Sequence, residues 1–249
     1  MTYIKTSLGI PLLLFSLLIG NDLLATDFYW VNGSGNWTDF TNHWVTTSGG
    51  TDFHDSIPGP NDRVFFDGNS FTTIGQTVTV DTSLAECLSI DFTGLLFSPS
   101  FTGVAGDTLN VRDDFILASN LNWTYSGLLL FSNGANTDST ATLNDTADIY
   151  LRGLTIGNTC VFNGQGSWEM LDDFRTTGDI FFEQGKLTLL DDTLAAASFV
   201  ARDPVDTTIS NSASFSLNRD IDLGVSTIII SDAGSSWRIQ GSATTITAT

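Results

Sequence analysis

Apolar and polar residues alternate along most of this chain, in short runs bounded by Asp, Gly, Asn and Thr. The repeat is clearest where Trp168 and Met170 precede one aspartate pair and, nineteen residues later, Leu187 and Leu189 precede another. Alternation with a period of two predicts half-buried β-strands, and recurrence at an interval near twenty residues predicts a stack of similar units.

Apolar pairs of this kind recur as far as Ile239 at intervals of 19 to 28 residues. Taken as one register, they are Val64/Phe66, Leu88/Ile90, Leu109/Val111, Leu129/Phe131, Ile149/Leu151, Trp168/Met170, Leu187/Leu189, Phe215/Leu217 and Trp237/Ile239. Further apolar pairs lie between them, so each interval holds at least two strands, as in the turn of a β-helix. Asn-Gly hairpin signals occur at three sites, too few for nine antiparallel pairs. The pattern predicts an all-β fold, a parallel β-helix.

The pattern divides the chain into three segments. Residues 1–25 are predicted to be a signal peptide, because Lys5 gives a positive start, Ile10 to Ile19 is apolar, and Ala25 ends a sequence that fits a cleavage site. Ten apolar residues are too few for an ordinary membrane span, so we expect no integral membrane segment in the mature chain. Residues 26–63 are predicted to form a small Trp-rich amino-terminal cap, and residues 64–249 the β-helix repeats.

The repeat pattern is still present at the end of the sequence. Residues 245–247, Thr-Ile-Thr, continue the alternation without a polar cap or a Gly/Pro cluster. We expect either that the β-helix is truncated here, with further domains in a longer parent protein, or that its last turn pairs with another chain.

The acidic composition limits the classes of partner. The chain has 28 acidic and 9 basic residues and a net charge of −19, and 25 of the acidic residues are Asp. Asp favours turns, which fits many short strands. Phosphate contacts require clusters of Lys and Arg, so the charge weighs against binding nucleic acid or an anionic membrane. Cations are the expected companions of such a surface, which also keeps a secreted protein soluble without any ligand.

Three tryptophans, Trp30, Trp37 and Trp44, are spaced seven residues apart near the predicted mature amino terminus. They admit two interpretations. They could form an aromatic platform for sugar rings, or a small aromatic core that covers the first turn of the β-helix. The spacing alone leaves both open.

Paired aspartates raise the question of catalysis, since two carboxylates can serve as acid and base in glycoside hydrolysis. The pairs begin at Asp113, Asp172 and Asp191. Routine turn formation by Asp explains them equally well, and we predict no catalytic residues. His43 and His54 lack the spacing of a zinc-binding helix. Calcium is the one ion that the pattern permits, either at a stacked ladder of Asp113, Asp172 and Asp191 or at individual sites, and no other cofactor is indicated.

Cys87 and Cys160 are the two cysteines of a chain that we expect to reach an oxidising compartment. A disulfide would require their Cα atoms to lie within about 7 Å. The two cysteines are 73 residues apart in the sequence, which is between three and four repeats, so the repeat pattern does not indicate that they are neighbours. We therefore favour two buried free thiols over a disulfide.

Two sets of segments carry a resemblance to a known family. YWVNGSGNWTDFTNHW, SIPGPNDRVFFDGNSF and GQTVTVD resemble the amino-terminal module of large secreted surface proteins of Bacteroidota-type bacteria. TLNVRDDFIL, GSWEMLDDF, GKLTLLDD and IDLGVSTIIISDAGSSW are similar to the body of the same adhesin-like proteins. The resemblance implies a right-handed parallel β-helix, export by a type IX-associated route, surface display or release, and longer relatives.

Three functional hypotheses follow. The first is a non-catalytic, secreted or cell-surface β-helix stalk with a structural or adhesin-like role. The second is a carbohydrate-binding module that uses the three tryptophans, and the third is a polysaccharide-cleaving β-helix enzyme. Extracellular polysaccharide, or the surface of a host or neighbouring cell, is the partner that these hypotheses share.

Overall fold

The chain folds as a β-solenoid. The computed structural model describes residues 25–132, 146–189 and 193–201 and, by their backbone, the strands within residues 206–247 that are given below. In each complete turn the chain passes through three strand positions, which we call faces A, B and C, before it returns to face A. Within the described residues the structure is almost entirely β.

The first turn contains two strands of the stack, followed by a short helix and a strand that returns to face A. Its elements are β1 (Asp27–Trp30) on face A, β2 (Gly35–Asn36) on face B, the helix α1 (Phe40–His43) and β3 (Trp44–Val45). Strand β3 returns antiparallel to β1, with Trp30 opposite Trp44. It therefore pairs with the edge of face A that would otherwise be open at this end of the stack.

The next three turns each supply one strand to faces A, B and C in that order. They are β4 (Arg63–Phe65), β5 (Thr77–Val80) and β6 (Leu84–Cys87); β7 (Ser89–Asp91), β8 (Ser100–Gly103) and β9 (Thr108–Val111); and β10 (Phe115–Ile116), β11 (Asn122–Tyr125) and β12 (Leu128–Phe131). All pairings between these turns are parallel, as a β-helix requires.

From residue 146, where the described residues resume, the strands follow the same order of faces, and two of them are long and bent. The elements are β13 (Thr146–Tyr150), β14 (Thr155–Ile156), β15 (Cys160–Met170), β16 (Phe174–Thr176), β17 (Ile180–Leu189), β18 (Thr193–Ala196) and β19 (Phe199–Ala201). Strands β15 and β17 each run through face C and on into face A. Register shifts between Phe162 and Ser167 mark the corner at which β15 bends.

Six further strands extend the three faces. They are β20 (Asp206–Ile209), β21 (Ser214–Leu217), β22 (Ile221–Asp222), β23 (Thr227–Ile230), β24 (Ser236–Ile239) and β25 (Ile246–Thr247). Each pairs in parallel with its counterpart in the preceding turn. The prediction of a parallel β-helix repeat is therefore confirmed.

The core consists of columns of side chains that point into the solenoid from equivalent positions of successive turns. On face C one column runs through Ala85, Leu109, Leu129, Cys160, Ile180 and Phe199, all of them buried. Aromatic rings also stack from turn to turn, as Phe66 does on Phe92 with ring centroids 4.5 Å apart and planes 3° apart. Each buried apolar side chain of this size contributes roughly 1.5–3 kcal/mol to folding.

The predicted register was wrong, because the nine apolar pairs do not lie on a single face. Val64 belongs to face A, whereas Leu109 and Leu129 stack on face C, and Phe215 and Trp237 are partners on face B. All three strands of a turn alternate in the same way, so spacing alone does not identify which strand of one turn stacks on which strand of the next.

The stack also extends into residues 26–63, the segment that the sequence predicted to be a Trp-rich amino-terminal cap. Strand β1 lies parallel to β4, with Phe28 opposite Val64, and β2 lies parallel to β5, with Gly35 opposite Val78. Faces A and B therefore begin before Arg63.

Candidate functional site

The three amino-terminal tryptophans pack against one another inside the first turn. Trp30, Trp37 and Trp44 are all fully buried. The ring of Trp44 meets the other two edge to face, with centroid distances of 4.8 Å to Trp30 and 4.9 Å to Trp37. The indole nitrogens of Trp30 and Trp44 donate to the carbonyl oxygens of Gly33 at 2.6 Å and Trp37 at 2.8 Å.

This packing leaves no indole face in contact with solvent. A sugar platform requires exposed aromatic faces, so these three side chains lack the geometry on which the carbohydrate-binding hypothesis depended. Their arrangement is that of a small aromatic core.

Both histidines belong to the same region and are used in its packing. The His43 ring stacks on Trp30 at 4.4 Å and its Nδ1 donates to the carbonyl oxygen of Val31 at 2.8 Å. The His54 ring stacks on Phe28 at 3.6 Å and its Nε2 donates to the carbonyl oxygen of Asp27 at 3.0 Å. The two imidazoles therefore occupy separate positions, each with its own aromatic partner.

The aspartate pairs lie at different corners of the solenoid. Asp113 and Asp114 lie between β9 and β10, where the chain passes from face C to face A, whereas Asp172 and Asp173 lie between β15 and β16, where it passes from face A to face B. Asp191 lies outside the described residues. Asp113 and Asp172 therefore do not stack on each other.

At the A-to-B corner the carboxylates bind backbone groups of neighbouring turns. Asp172 accepts hydrogen bonds from the N–H groups of Leu151 and Gly153, both at 2.9 Å, in the preceding turn. Asp173 accepts from the N–H group of Thr193 at 2.8 Å in the following turn and forms an ion pair with Arg175. Desolvation acts to raise the pKa of Asp173, but the hydrogen bond from Thr193 and the contacts with Arg175 together outweigh it, so the net effect is a lowered pKa. These side chains join turns together.

The other aspartate pair forms a compact acidic cluster with Asp148. Asp114 accepts the backbone N–H of Asp148 at 2.9 Å, whereas Oδ1 of Asp113 is buried and has no hydrogen-bond partner among the described residues. Burial, followed by the charges of Asp114 and Asp148, raises the pKa of Asp113 to about 7. Desolvation is also the main reason that the pKa of Asp114 is raised.

This cluster does not assemble a metal site. Within the described part of the chain, no group of three or more His, Cys, Asp or Glu side chains is arranged to hold a metal ion. Both oxygens of Asp172 already accept backbone N–H groups. The geometry therefore gives the calcium hypothesis no support from Asp113 or Asp172.

The two cysteines are buried free thiols on face C. Cys87 occupies the column of Val111 and Phe131, whereas Cys160 occupies the neighbouring column, opposite Leu129. Burial raises the pKa of both thiols. Neither cysteine is in the partly exposed, electropositive surroundings that activate a nucleophilic thiolate.

The structure also contains a surface groove that the sequence did not reveal. It has a volume of about 130 Å³ and lies on the outer side of face A, where the chain leaves β4 and β7. The residues that line it are Tyr29, Phe65, Phe66, Asp67, Asp91, Thr93 and Gly94, and we call it the aromatic–acidic groove. The sequence contained one indication of this groove. Tyr29 and Phe65 are aromatic residues at outward positions of their strands, next to the inward Phe28 and Val64.

No family model, curated protein or solved structure matches this chain. The fold defines the class as a β-solenoid.

The described residues contain no helix that is long and apolar enough to cross a membrane.

Proposed function

We propose that this protein is a non-catalytic, secreted or cell-surface β-helical stalk with a structural or adhesin-like role. The proposal rests on the observation that carboxylates at the corners of the solenoid accept hydrogen bonds from neighbouring turns. Asp114, Asp172 and Asp173 each accept a backbone N–H from an adjacent turn, and Asp81 accepts both the N–H and the hydroxyl of Thr38. Carboxylates held in this way brace the stack along its length.

The same contacts argue against acid and base catalysis by the pair Asp172 and Asp173. A general acid needs a proton that it can give to the substrate, and a nucleophile needs a free oxygen. Asp172 has both oxygens occupied by backbone donors, and Asp173 is paired with Arg175. The work of the molecule in this proposal is extension and contact rather than turnover.

Export completes the proposal. The positive start and short apolar run of residues 1–25 support a cleaved signal peptide, and the acidic, Asp-rich composition suits an extracellular protein. The resemblance to adhesin-like surface proteins of Bacteroidota-type bacteria supports surface display and a right-handed stack, the hand that parallel β-crossovers also favour. The partner would be extracellular polysaccharide or the surface of a host or neighbouring cell.

Export is tested by expressing the complete chain in a Gram-negative host and sequencing the amino terminus of the recovered protein. The proposal expects an exported product that begins at Thr26. A protein that stays in the cytoplasm with Met1 still present would overturn this part of the proposal.

The stalk role is tested by comparing adhesion with turnover on the same polysaccharides. Beads coated with the purified protein are expected to bind cells or polysaccharide, whereas assays for reducing sugars and for unsaturated products stay at background. Turnover that disappears in Asp172→Asn or Asp173→Asn would contradict the non-catalytic proposal. If the protein bound none of the cell types and glycans, the adhesive role would be excluded and only the role as an extended structural stalk would remain.

A further inference from the structure

The outer surface of face A carries a partial ladder of aromatic rings. The outward positions Tyr29, Phe65, Asp91, Ile116 and Tyr150 are equivalent residues of five successive turns. Tyr29 and Phe65 stack with their ring centroids 4.9 Å apart and their planes 18° apart. At the next turn the ladder is interrupted, because the equivalent residue is the short, charged Asp91.

The interruption creates the aromatic–acidic groove. Neighbouring strands of a sheet are about 4.8 Å apart, which is also the stacking distance of flat rings. A ring bound in the groove beside Phe65 would therefore occupy the place that an aromatic side chain at position 91 would have filled. The cavity volume of about 130 Å³ suits one such ring rather than a large ligand.

The walls of the groove hold two carboxylates in fixed positions. Oδ1 of Asp91 accepts the backbone N–H of Thr93 at 2.6 Å, and Oδ1 of Asp67 accepts that of Asn69 at 2.8 Å. A Cβ atom on Gly94 would lie 3.0 Å from the Cβ of Asp67, so glycine allows these two walls to approach each other. The carboxylates are thereby oriented before any ligand arrives, which lowers the entropic cost of binding.

An aromatic face beside fixed hydrogen-bond acceptors matches the chemistry of a sugar ring, which has an apolar C–H face and hydroxyl donors at its edge. We propose that the aromatic–acidic groove is a binding subsite for one neutral pyranose ring of a glycan. The ring stacks on Phe65, and its hydroxyl groups donate to Asp91 and Asp67. This inference concerns a site separate from the tryptophans and holds whether or not the stalk role is correct.

Charge selects a neutral sugar over the alternatives. Two carboxylates line the groove. The guanidinium of Arg63 lies 6.0 Å from the centroid of the Phe65 ring, but it is already paired with Asp27 at 2.7 Å, so a uronate would be repelled. A quaternary ammonium ligand requires aromatic faces on several sides. Tyr29 and Phe65 stack on each other and cannot surround it.

The proposal is tested by saturation-transfer NMR on the purified protein with methyl glycosides of glucose, galactose and mannose, and with their neutral hexasaccharides. At least one neutral sugar is expected to bind, with a Kd of about 1–10 mM for a single ring. Oligogalacturonate and tetramethylammonium serve as charged probes. The aromatic resonances of Phe65 and Tyr29 should shift during the titration.

Two variants and a matched control locate the site. Phe65→Leu keeps an apolar side chain without a flat face and should weaken binding about five- to tenfold. Asp91→Asn keeps an acceptor for the Thr93 N–H and should weaken it about tenfold. Tyr150→Leu removes an aromatic ring from the same column outside the groove and should leave affinity unchanged.

Several outcomes would overturn the proposal. They are silence from every neutral sugar, equal affinity in Phe65→Leu, and preferential binding of oligogalacturonate or tetramethylammonium. If Phe65→Leu fails to fold, the shifts of Phe65 and Tyr29 in the unmodified protein still decide the question. Sugar binding that leaves those resonances unmoved places the site elsewhere and contradicts the inference.

Discussion

The indole Nε1 of Trp123 donates a hydrogen bond of 2.8 Å to Oδ1 of Asn158, which lies in the following turn of the solenoid. The amide nitrogen of Asn158 donates in turn to the carbonyl oxygens of Tyr125 at 3.0 Å and Gly127 at 2.7 Å. Asn158 is only 1% exposed. One buried side chain therefore satisfies three polar groups of the preceding turn, and its two hydrogen bonds to backbone carbonyls are buried.

Asn158→Ala should consequently destabilise the protein. The substitution removes both Asn donors to the Tyr125 and Gly127 carbonyls and leaves the Trp123 N–H without its acceptor. Because unsatisfied buried groups cost more than a hydrogen bond gains, we expect a loss of roughly 2–4 kcal/mol in the free energy of unfolding. Urea denaturation followed by circular dichroism measures it as a lower midpoint.

Asn163→Ala provides the matched control. The amide nitrogen of Asn163 also donates to a neighbouring turn, at 3.0 Å to Glu183, but on the exposed surface. Water can replace that partner, so the free energy of unfolding should change by less than about 0.5 kcal/mol. Equal effects of the two substitutions would show that the buried contacts of Asn158 are not what stabilises the corner.

Glycine is required at one position of the same corner and replaceable at another. A Cβ atom on Gly178 would lie 2.2 Å from the backbone oxygen of Asn158, whereas one on Gly157 would meet only Thr177 Oγ1, at 4.0 Å. We expect Gly178→Ala to destabilise by about 1–3 kcal/mol or more, since backbone must move. Gly157→Ala should be neutral or stabilise by up to about 1 kcal/mol. Thermal unfolding of both variants tests this contrast. A higher Tm for Gly178→Ala than for Gly157→Ala would refute it.

The alternation of apolar residues was sufficient to predict a parallel β-helix, because inward side chains must stack on one another in every turn. It was not sufficient to assign residues to faces. Leu109 and Ile149 follow the same pattern, yet one lies on face C and the other on face A. Only the hydrogen-bonded register between turns distinguishes them.

The candidate site was predictable to a smaller extent. Spacing of the tryptophans could not decide between an exposed platform and a buried core, because that depends on the return of β3 against β1. The groove beside Phe65 depends on the absence of a ring at Asp91, one turn away. Residues separated by a whole turn become neighbours only after the register is known.

Removal of divalent cations should leave the stability of the protein unchanged. Asp172 uses both carboxylate oxygens to accept the N–H groups of Leu151 and Gly153, so it does not depend on an ion to neutralise it. We expect the same Tm with and without EDTA. A fall of several degrees in EDTA that calcium reverses would restore the calcium hypothesis.

The two cysteines should be unreactive until the protein unfolds. Cys87 and Cys160 are fully buried, and burial raises the pKa of both thiols, so the thiolate population at neutral pH is small. A thiol reagent should therefore label few thiols in the native protein and two per chain in guanidinium chloride without a reductant. Failure to label in denaturant would instead demonstrate a disulfide.

The half-buried carboxyl of Asp113, whose Oδ1 is buried, should make stability depend on pH. Its folded-state pKa of about 7 lies above the ordinary value of 3.8. The folded state therefore holds a proton that the unfolded state releases, so the free energy of unfolding contributed by this group falls as pH rises from about 4 to 7. Asp113→Asn should raise the urea midpoint at pH 8 and change it little at pH 4.

The exposed Asp55→Asn removes the same unit of charge and serves as the control for general repulsion in a chain of net charge −19. Repulsion among surface charges acts on both variants, whereas desolvation acts only on Asp113, whose Oδ1 has no hydrogen-bond partner among the described residues. The difference between the two variants in urea midpoint should therefore grow from pH 4 to pH 7 and then level off. Parallel pH profiles would mean that Asp113 is solvated, and the acidic cluster would then have no special influence on stability.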